Sequence, residues 1–255
     1  MITRLAIILC FLFSMMKLQA ETVNLVQYEK KIFSQAGEDG VIEQIFNMIG
    51  ISTKYYVEFG AIDGHAYSNT KYLREFKGWT GLLMDCDYED LSINLHKHFI
   101  TAENINELFE LHNVPYDLDL LSIDIDGIDF YVWHALDEKY RPRLVVIEYN
   151  PNFPPPLDYV IPYNPAHQWD HTRYFGASIS ALYKLGLQKK YTLVYGRGGN
   201  LYFISDELVT ASFQNANDIF KLYQNGFHVP DPKNRPLISS DEALRSWSER
   251  SFREN

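Results

Sequence analysis

The sequence predicts an α/β protein with a doubly wound, mostly parallel sheet. Short runs of apolar and β-branched residues alternate with segments of helical periodicity, which is typical of a parallel sheet covered by helices on both faces. Late in this pattern, two strand-like runs at 191–195 and 200–204 are separated only by a short glycine-rich turn. Such a turn joins antiparallel neighbours, so an antiparallel C-terminal hairpin is expected to complete the sheet.

The elements follow one another without repeats or low-complexity tracts. Apolar residues at helical spacing behind Gly37 predict an opening helix that ends at Gly50. Strands are then expected at 55–59, 81–85, 99–102, 118–125 and 144–149. Helices are expected between the strands and before the hairpin, at 69–76, 89–98, 106–112, 130–136 and 178–187.

A proline-rich segment, 151–165, is the one shift in composition, and it separates the fifth strand from the next helix. Long loops in compact domains often bind ligands, so the aromatic residues of this segment could form a lid over a ligand. The alternative is that they pack the loop onto the sheet. The aromatic residues in or beside the segment are Tyr149, Phe153, Tyr159, Tyr163, Trp169 and Tyr174. Four other candidates are interpreted as surface or core residues: His167, His171, Trp79 and Trp133.

Three regions are expected: a signal peptide at 1–20, the α/β domain at 21–210, and a C-terminal extension at 211–255 with one helix near 217–223. Arg4 precedes an apolar run that is shorter than the roughly 20 residues a membrane span needs, and the small Ala20 follows. We therefore expect cleavage after Ala20 and export to the periplasm or the medium, with membrane contact only through this segment. The alternative is a buried first helix or strand.

The net charge and the cysteine count limit which partners and which covalent links the protein can have. The formal net charge is -10, with 23 Lys and Arg against 33 Asp and Glu, so the basic face that a nucleic-acid partner requires is not expected. Cleavage would leave Cys86 as the single cysteine, which excludes an internal disulfide. A small-molecule or glycan partner is favoured, and the oligomeric state is open.

Glycines and acidic residues follow the predicted strands, where ligands bind in open parallel sheets. The first strand ends in VEFGAIDG, residues 57–64, in which Gly60 and Gly64 allow a sharp turn and a close approach to a ligand. Asp85 ends the second strand, and an acid about 20 residues past the glycine turn is suited to ribose hydroxyls. The pattern differs from G-x-G-x-x-G, so a nucleoside site is favoured and hydride transfer is disfavoured.

These residues, in this order along the chain, resemble the FkbM-type class I S-adenosylmethionine-dependent methyltransferases and their uncharacterised relatives. The likeness covers about residues 33 to 205 and is carried by FSQAGEDG (33–40), VEFGAIDG (57–64), SNT (68–70), GWTGLLMD (78–85), DLLSIDIDGID (119–129) and RPRLVVIEYN (141–150). The chain departs from the family at Asp126, where the family usually has Glu.

The resemblance implies a seven-stranded Rossmann-like sheet with a reversed last strand, and S-adenosylmethionine as the cofactor. It also implies that Glu58 and Gly60 hold the methionine part of the cofactor and that Asp85 holds the ribose. Glu103 or Asn104, after the third strand, would then lie near the adenine.

Methyl transfer requires alignment of the acceptor and a route for its proton. Asp63 and Asp124 would lie near the cationic cofactor, and His65 or Asp126 could serve as the base. Oxygen ligands after the fourth and fifth strands are also similar to those of metal-dependent catechol-type O-methyltransferases, which predicts a Mg²⁺ site. Its candidate ligands are Asp124, Asp126, Glu148 and Asn150. The alternative is a strand-to-helix turn in which Asp129 is the N-cap.

Two functions follow as hypotheses. The first is an O-methyltransferase that acts on a small hydroxylated or glycan acceptor. The second is a non-catalytic secreted binding protein, or an effector, that retains the methyltransferase fold. The predicted export favours the second because S-adenosylmethionine is made in the cytosol, whereas the presence of both Glu58 and Asp85 favours the enzyme.

Overall fold

The computed structural model describes residues 22–209, 213–225 and 230–254. The predicted signal peptide at 1–20 lies outside the described residues. The strands are β1 (Tyr55–Phe59), β2 (Thr80–Asp85), β3 (Leu95–Lys97), β4 (Leu120–Ile123), β5 (Leu144–Glu148), β6 (Tyr191–Arg197) and β7 (Asn200–Ser205). The α-helices are α1 (Glu38–Ile49), α2 (Lys71–Phe76), α3 (Ile105–Leu111), α4 (Asp129–Ala135), α5 (Ile179–Gln188), α6 (Ile219–Leu222) and α7 (Ser240–Glu254).

All seven strands form one sheet in the order β3-β2-β1-β4-β5-β7-β6. The first five strands pair in parallel, whereas β7 pairs antiparallel with both β5 and β6. The prediction of a doubly wound, mostly parallel Rossmann-like sheet with an antiparallel C-terminal hairpin is confirmed.

The sheet separates two apolar cores because successive side chains of a strand point to opposite faces. On one face, Val57 and Phe59 of β1 belong to the core that also includes residues of α4 and α5. On the other face, Tyr56 belongs to the core formed with α1. The central strands are therefore buried from both sides, which explains why they are nearly continuous apolar runs.

The third strand lies earlier than the sequence predicted. Instead of a helix at 89–98 and a strand at 99–102, the chain forms a short 3-10 turn at Leu91–Ile93 and then β3. Asn94 ends the turn in the left-handed conformation, and its side-chain amide donates to the carbonyl of Gly81 over 2.7 Å. This contact fixes the start of β3 beside β2, so the predicted strand at 99–102 is wrong.

The C-terminal residues contribute to the main core, and the helix α7 was not predicted. Ala243 is fully buried, and the Trp247 ring contacts the rings of Tyr131 and Tyr163, with centroids 6.5 and 4.6 Å away. An isolated bridge also joins Ile238 to Val160 of the proline-rich segment. Among the helices that the structure describes, none has both the length and the apolar character to span a membrane.

Candidate functional site

A cavity of about 650 Å³ lies beyond the carboxyl ends of the parallel strands. Four neighbouring strands contribute to it, and Asn200 adds a side chain at the start of β7. The lining residues at or just after the ends of those four strands are Phe59, Gly60, Asp85, Asp124 and Glu148. The cavity is thus at the edge of the sheet where ligands bind in open α/β proteins.

Gly60 lets the end of β1 approach the end of β4. Its φ is +65°, and a Cβ built on it would lie 1.6 Å from the backbone carbonyl oxygen of Asp124. Any larger residue would therefore displace Asp124 or the turn that follows β1. That turn continues through Ala61, whose N–H donates to the carbonyl of Met84, to Gly64.

Asp85 is buried at the end of β2 and lines the cavity beside this turn. Its Oδ2 accepts a hydrogen bond from the N–H of Ile62, and its Oδ1 accepts one from the N–H of Asp87, each over 2.8 Å. Each carboxylate oxygen can accept two hydrogen bonds, so each oxygen of Asp85 can accept one more in addition to these two contacts. Asp85 can thus still accept from a pair of hydroxyl groups on a ligand.

Glu58 lines the cavity, and its carboxylate is held by the SNT segment, residues 68–70. Its carboxylate accepts from the hydroxyls of Ser68 (2.8 Å) and Thr70, and from the N–H of Asn69 (2.7 Å). Burial raises the pKa of Glu58, and these hydrogen bonds oppose that rise. Glu58 therefore positions Ser68 and Asn69, which also line the cavity.

Three carboxylates meet at the ends of β4 and β5. Asp124, Asp126 and Glu148 each present an oxygen, and these oxygens lie within 4.8 Å of one another. Burial, followed by the neighbouring carboxylates, raises the pKa of Asp124 and the pKa of Glu148 well above their usual range. The Oε2 atom of Glu148 is buried and has no hydrogen-bond partner among the described residues.

Two neighbours of this carboxylate cluster have other roles. Asp129 accepts from the N–H groups of Ile125 (2.8 Å) and Gly127 (2.9 Å) and so closes the turn before α4; burial raises its pKa to about 6. The side-chain amide of Asn150 donates to the carbonyls of residues 173 and 175, and its oxygen accepts twice from Asn152. The oxygen of Asn150 is thus already used, which corrects its prediction as a metal ligand.

Six predicted site residues do not line the cavity that the described residues form: Asp63, Gly64, His65, Glu103, Asn104 and Asn150. Asp63 accepts from the N–H groups of His65 and Ala66, which lower its pKa. Glu103 accepts from the hydroxyl of Tyr163.

The side chain of Asn104 bonds to local backbone: it accepts from the N–H of Thr101 (2.8 Å) and donates to the carbonyl of Phe99 (2.9 Å). Glu103 or Asn104 is expected near the adenine because both follow the predicted strand at 99–102. The third strand ends at Lys97 instead, so this expectation is corrected. The cavity is lined instead by His98, Phe99 and Ile100.

The structure also brings to the cavity two histidines that the sequence interpretation assigned to the surface or the core, His167 and His171, together with Trp169 of the aromatic group. All three follow the proline-rich segment, and the His167 ring lies against Gly127 in the turn after β4. Burial, and then the charge of Arg235, lower the pKa of His167, and its Nε2 atom is buried without a partner among the described residues. Trp79 and Trp133 are core residues, as expected.

Gln35 reaches the cavity from the FSQAGEDG segment, residues 33–40. Asp39 fixes this segment, because its Oδ2 accepts from the N–H groups of Ile32, Phe33 and Ser34 over 2.8–2.9 Å. Glu38 accepts from the N–H of residue 36 and from the side-chain amide of Asn200, which joins the segment to β7. The motif thus has a structural role that places one polar side chain at the site.

Comparisons with known proteins find matches among solved structures. No protein-family model matches the chain, and no curated protein sequence matches it. A solved structure of the N-terminal domain of EvdMO1, determined in the presence of SAH and D-fucose, aligns with 66% of this chain and 82% of that chain. The identity is 10% and the TM-score is 0.41, so this likeness carries no argument about the site.

Proposed function

We propose that the protein is an S-adenosylmethionine-dependent methyltransferase that methylates a hydroxyl oxygen of a small hydroxylated molecule or a glycan. The observation that carries the proposal is the placement of Gly60 and Asp85 at the ends of adjacent strands, on one wall of a cavity of about 650 Å³. The seven-stranded sheet with its antiparallel hairpin agrees with the fold that the resemblance to class I methyltransferases implies.

The β1–β2 side of the cavity suits a nucleoside. Asp85 keeps an acceptor position on each oxygen, which matches the two vicinal hydroxyls of a ribose. Phe99 and Ile100 supply apolar surface beside it for a flat base. S-adenosylmethionine, bound in this way, would supply the methyl group as a sulfonium.

The acceptor is proposed to bind on the other side of the cavity, between the carboxylate cluster and the loop residues 167–171. Proton removal from a hydroxyl requires a base near the reacting oxygen. His167 suits this role because burial lowers its pKa and so favours the neutral ring, which can accept a proton. Asp126 is the second candidate, since it is exposed to the cavity.

The donor set of the carboxylate cluster fits a hard divalent cation. Three oxygens lie within 4.8 Å of one another, and Glu148 has a buried oxygen that lacks a partner among the described residues. Asp124, Asp126 and Glu148 would hold Mg²⁺, which would stabilise their charges and lower the pKa of an acceptor hydroxyl.

Binding is tested by calorimetric titration of the purified protein with S-adenosylmethionine, S-adenosylhomocysteine and NAD⁺. We expect the first two to bind and to compete with each other, and NAD⁺ to give no heat of binding. Failure of both sulfur compounds to bind would refute the proposal.

Catalysis is tested separately with S-adenosylmethionine labelled in its methyl group and a panel of mono- and oligosaccharides. Transfer of label to a sugar supports the enzyme. Binding without transfer to any member of a broad panel would favour the non-catalytic binding protein.

Export through residues 1–20 is proposed from the sequence pattern alone. Mass spectrometry of the protein from its native cell is expected to find a chain that begins near Glu21. An intact Met1 in the soluble cytosolic fraction would contradict cleavage.

A further inference from the structure

Three histidines lie together at β3, the edge strand that β2 and β1 separate from β4 and its carboxylates. His96 is in β3, His98 follows its last residue, and His112 caps the end of α3. Each ring offers a nitrogen, and the three nitrogens lie within 4.8 Å of one another. The Nε2 atoms of His98 and His112 are only 2.8 Å apart. All three side chains are half-buried.

Neighbouring groups already orient one of these rings. The side-chain amide of Asn94 donates to the carbonyl of Gly81, so the Oδ1 atom of Asn94 must be the group that faces Nε2 of His96, 2.9 Å away. Because Oδ1 can only accept, Nε2 of His96 carries the proton and Nδ1 keeps the free lone pair. Ligand histidines in metal sites are held by this kind of hydrogen bond to the other ring nitrogen.

We propose that His96, His98 and His112 form a binding site for a zinc-type divalent cation. The ligands are Nδ1 of His96 and the Nε2 atoms of His98 and His112. Imidazole nitrogens suit zinc and its neighbours in the first transition series, and three such ligands leave a fourth position for water. Two imidazole nitrogens that face each other 2.8 Å apart can share one proton or bind one cation, and the third ring favours the cation.

The proposed cation would connect β3 to the end of α3 beside the cavity. The N–H of His98 donates to the carbonyl of Asp85 over 2.8 Å, and His98 also lines the cavity. A metal ion at this site would therefore fix the segment between Asp85 and α3. The site uses nitrogen ligands, whereas the carboxylate cluster offers only oxygen, so different metals are expected at the two sites. The proposal does not depend on methyltransferase activity.

The test is a titration of the metal-free protein with Zn²⁺, in the presence of excess Mg²⁺ to occupy oxygen sites. We expect one tight zinc site per chain and a higher melting temperature with zinc. His98→Gln and His112→Gln should each weaken zinc binding at least tenfold and abolish the thermal shift. Asn94→Ala should weaken it by about 10–100-fold, because it removes the hydrogen bond that orients His96.

The matched control is His65→Gln, which removes an exposed histidine outside the cluster and should leave zinc binding unchanged. Binding of Co²⁺ provides a second readout, because its visible absorption reports the coordination of nitrogen ligands in any variant that folds. Absence of stoichiometric zinc binding, or zinc binding that is unchanged in both His98→Gln and His112→Gln, would overturn the proposal.

Discussion

Gly60 and the backbone carbonyl of Asp124 are in such close contact that a Cβ on Gly60 would lie 1.6 Å from the carbonyl oxygen. The contact joins the turn after β1, on the proposed cofactor side, to the first residue of the carboxylate cluster. The two halves of the cavity therefore depend on one close backbone approach, which only glycine permits.

Gly60→Ala should therefore lower the free energy of unfolding by more than the strain of a positive φ at residue 60 alone would. Gly78→Ala is the matched control, because Gly78 has a similar φ of +67° but nothing within 4 Å of an added Cβ. The strained φ should cost each variant about 1–2 kcal/mol. Gly60→Ala should lose a further ~1–3 kcal/mol from overpacking. Denaturant unfolding of both variants measures the difference, and equal losses would contradict the contact.

Asp85→Asn should weaken S-adenosylmethionine binding. The substitution removes one acceptor and the negative charge, and a hydrogen bond to a charged group contributes about 1.5–3 kcal/mol, so the dissociation constant should rise roughly 10- to 100-fold. Asp90→Asn is the control, since Asp90 also accepts from the N–H two residues later, that of Ser92, but lies outside the cavity. Calorimetric titration measures both, and equal affinities for Asp85→Asn and the unaltered protein would exclude Asp85 from the ribose site.

Trp247→Ala should destabilise the whole protein and not only the C-terminal helix. Trp247 packs on Tyr131 and Tyr163 at the edge of the main core, and loss of a half-buried aromatic ring there should cost about 2–3 kcal/mol. Phe220→Ala is the control because the Phe220 side chain is 65% exposed. A single unfolding transition shifted to lower denaturant is expected; an unchanged midpoint would show that α7 does not stabilise the core.

The sequence predicted the parts of the fold that are buried from both sides. The strands β1, β4 and β5 are nearly continuous apolar runs, and all four residues of β4 are buried. In β3 only Leu95 is buried, so the edge strand has no apolar run that could reveal it. The later apolar pair, Ile100 and Ala102, is buried without belonging to a strand, and this pattern produced the incorrect assignment.

The contrast between the buried central strands and the edge strand β3 also explains which site residues could be predicted. Asp85 is the last residue of β2 and Asp124 follows β4, two strands that the sequence predicts correctly, and both residues line the cavity. Glu103 and Asn104 follow the incorrectly predicted strand at 99–102 and do not line the cavity that the described residues form. His167 and His171 come from a loop whose sequence shows turns but not which side chains face inward, so only the tertiary structure brings them to the cavity.

Glu148→Gln tests the electrostatics of the carboxylate cluster. Because the folded-state pKa of Glu148 and that of Asp124 are raised, the folded protein binds protons there more tightly than the unfolded chain. Stability from these groups is therefore present at low pH and falls as the pH rises from about 4 through the raised folded-state pKa values. In EDTA, Glu148→Gln should be more stable than the unaltered protein at pH 8, and the gap should close toward pH 4.

Binding of Mg²⁺ should also relieve the repulsion within the carboxylate cluster, because the cation neutralises the charges that Glu148→Gln reduces. At pH 8 it should raise the melting temperature of the unaltered protein but have little effect on Glu148→Gln, which has lost a charged ligand. Glu138→Gln, a change at an exposed carboxylate outside the cavity, should show neither the pH-dependent gap nor a loss of the Mg²⁺ response. If Glu148→Gln follows the unaltered protein at every pH in EDTA, the three carboxylates do not repel one another. A Mg²⁺ response that persists in Glu148→Gln would place the cation elsewhere.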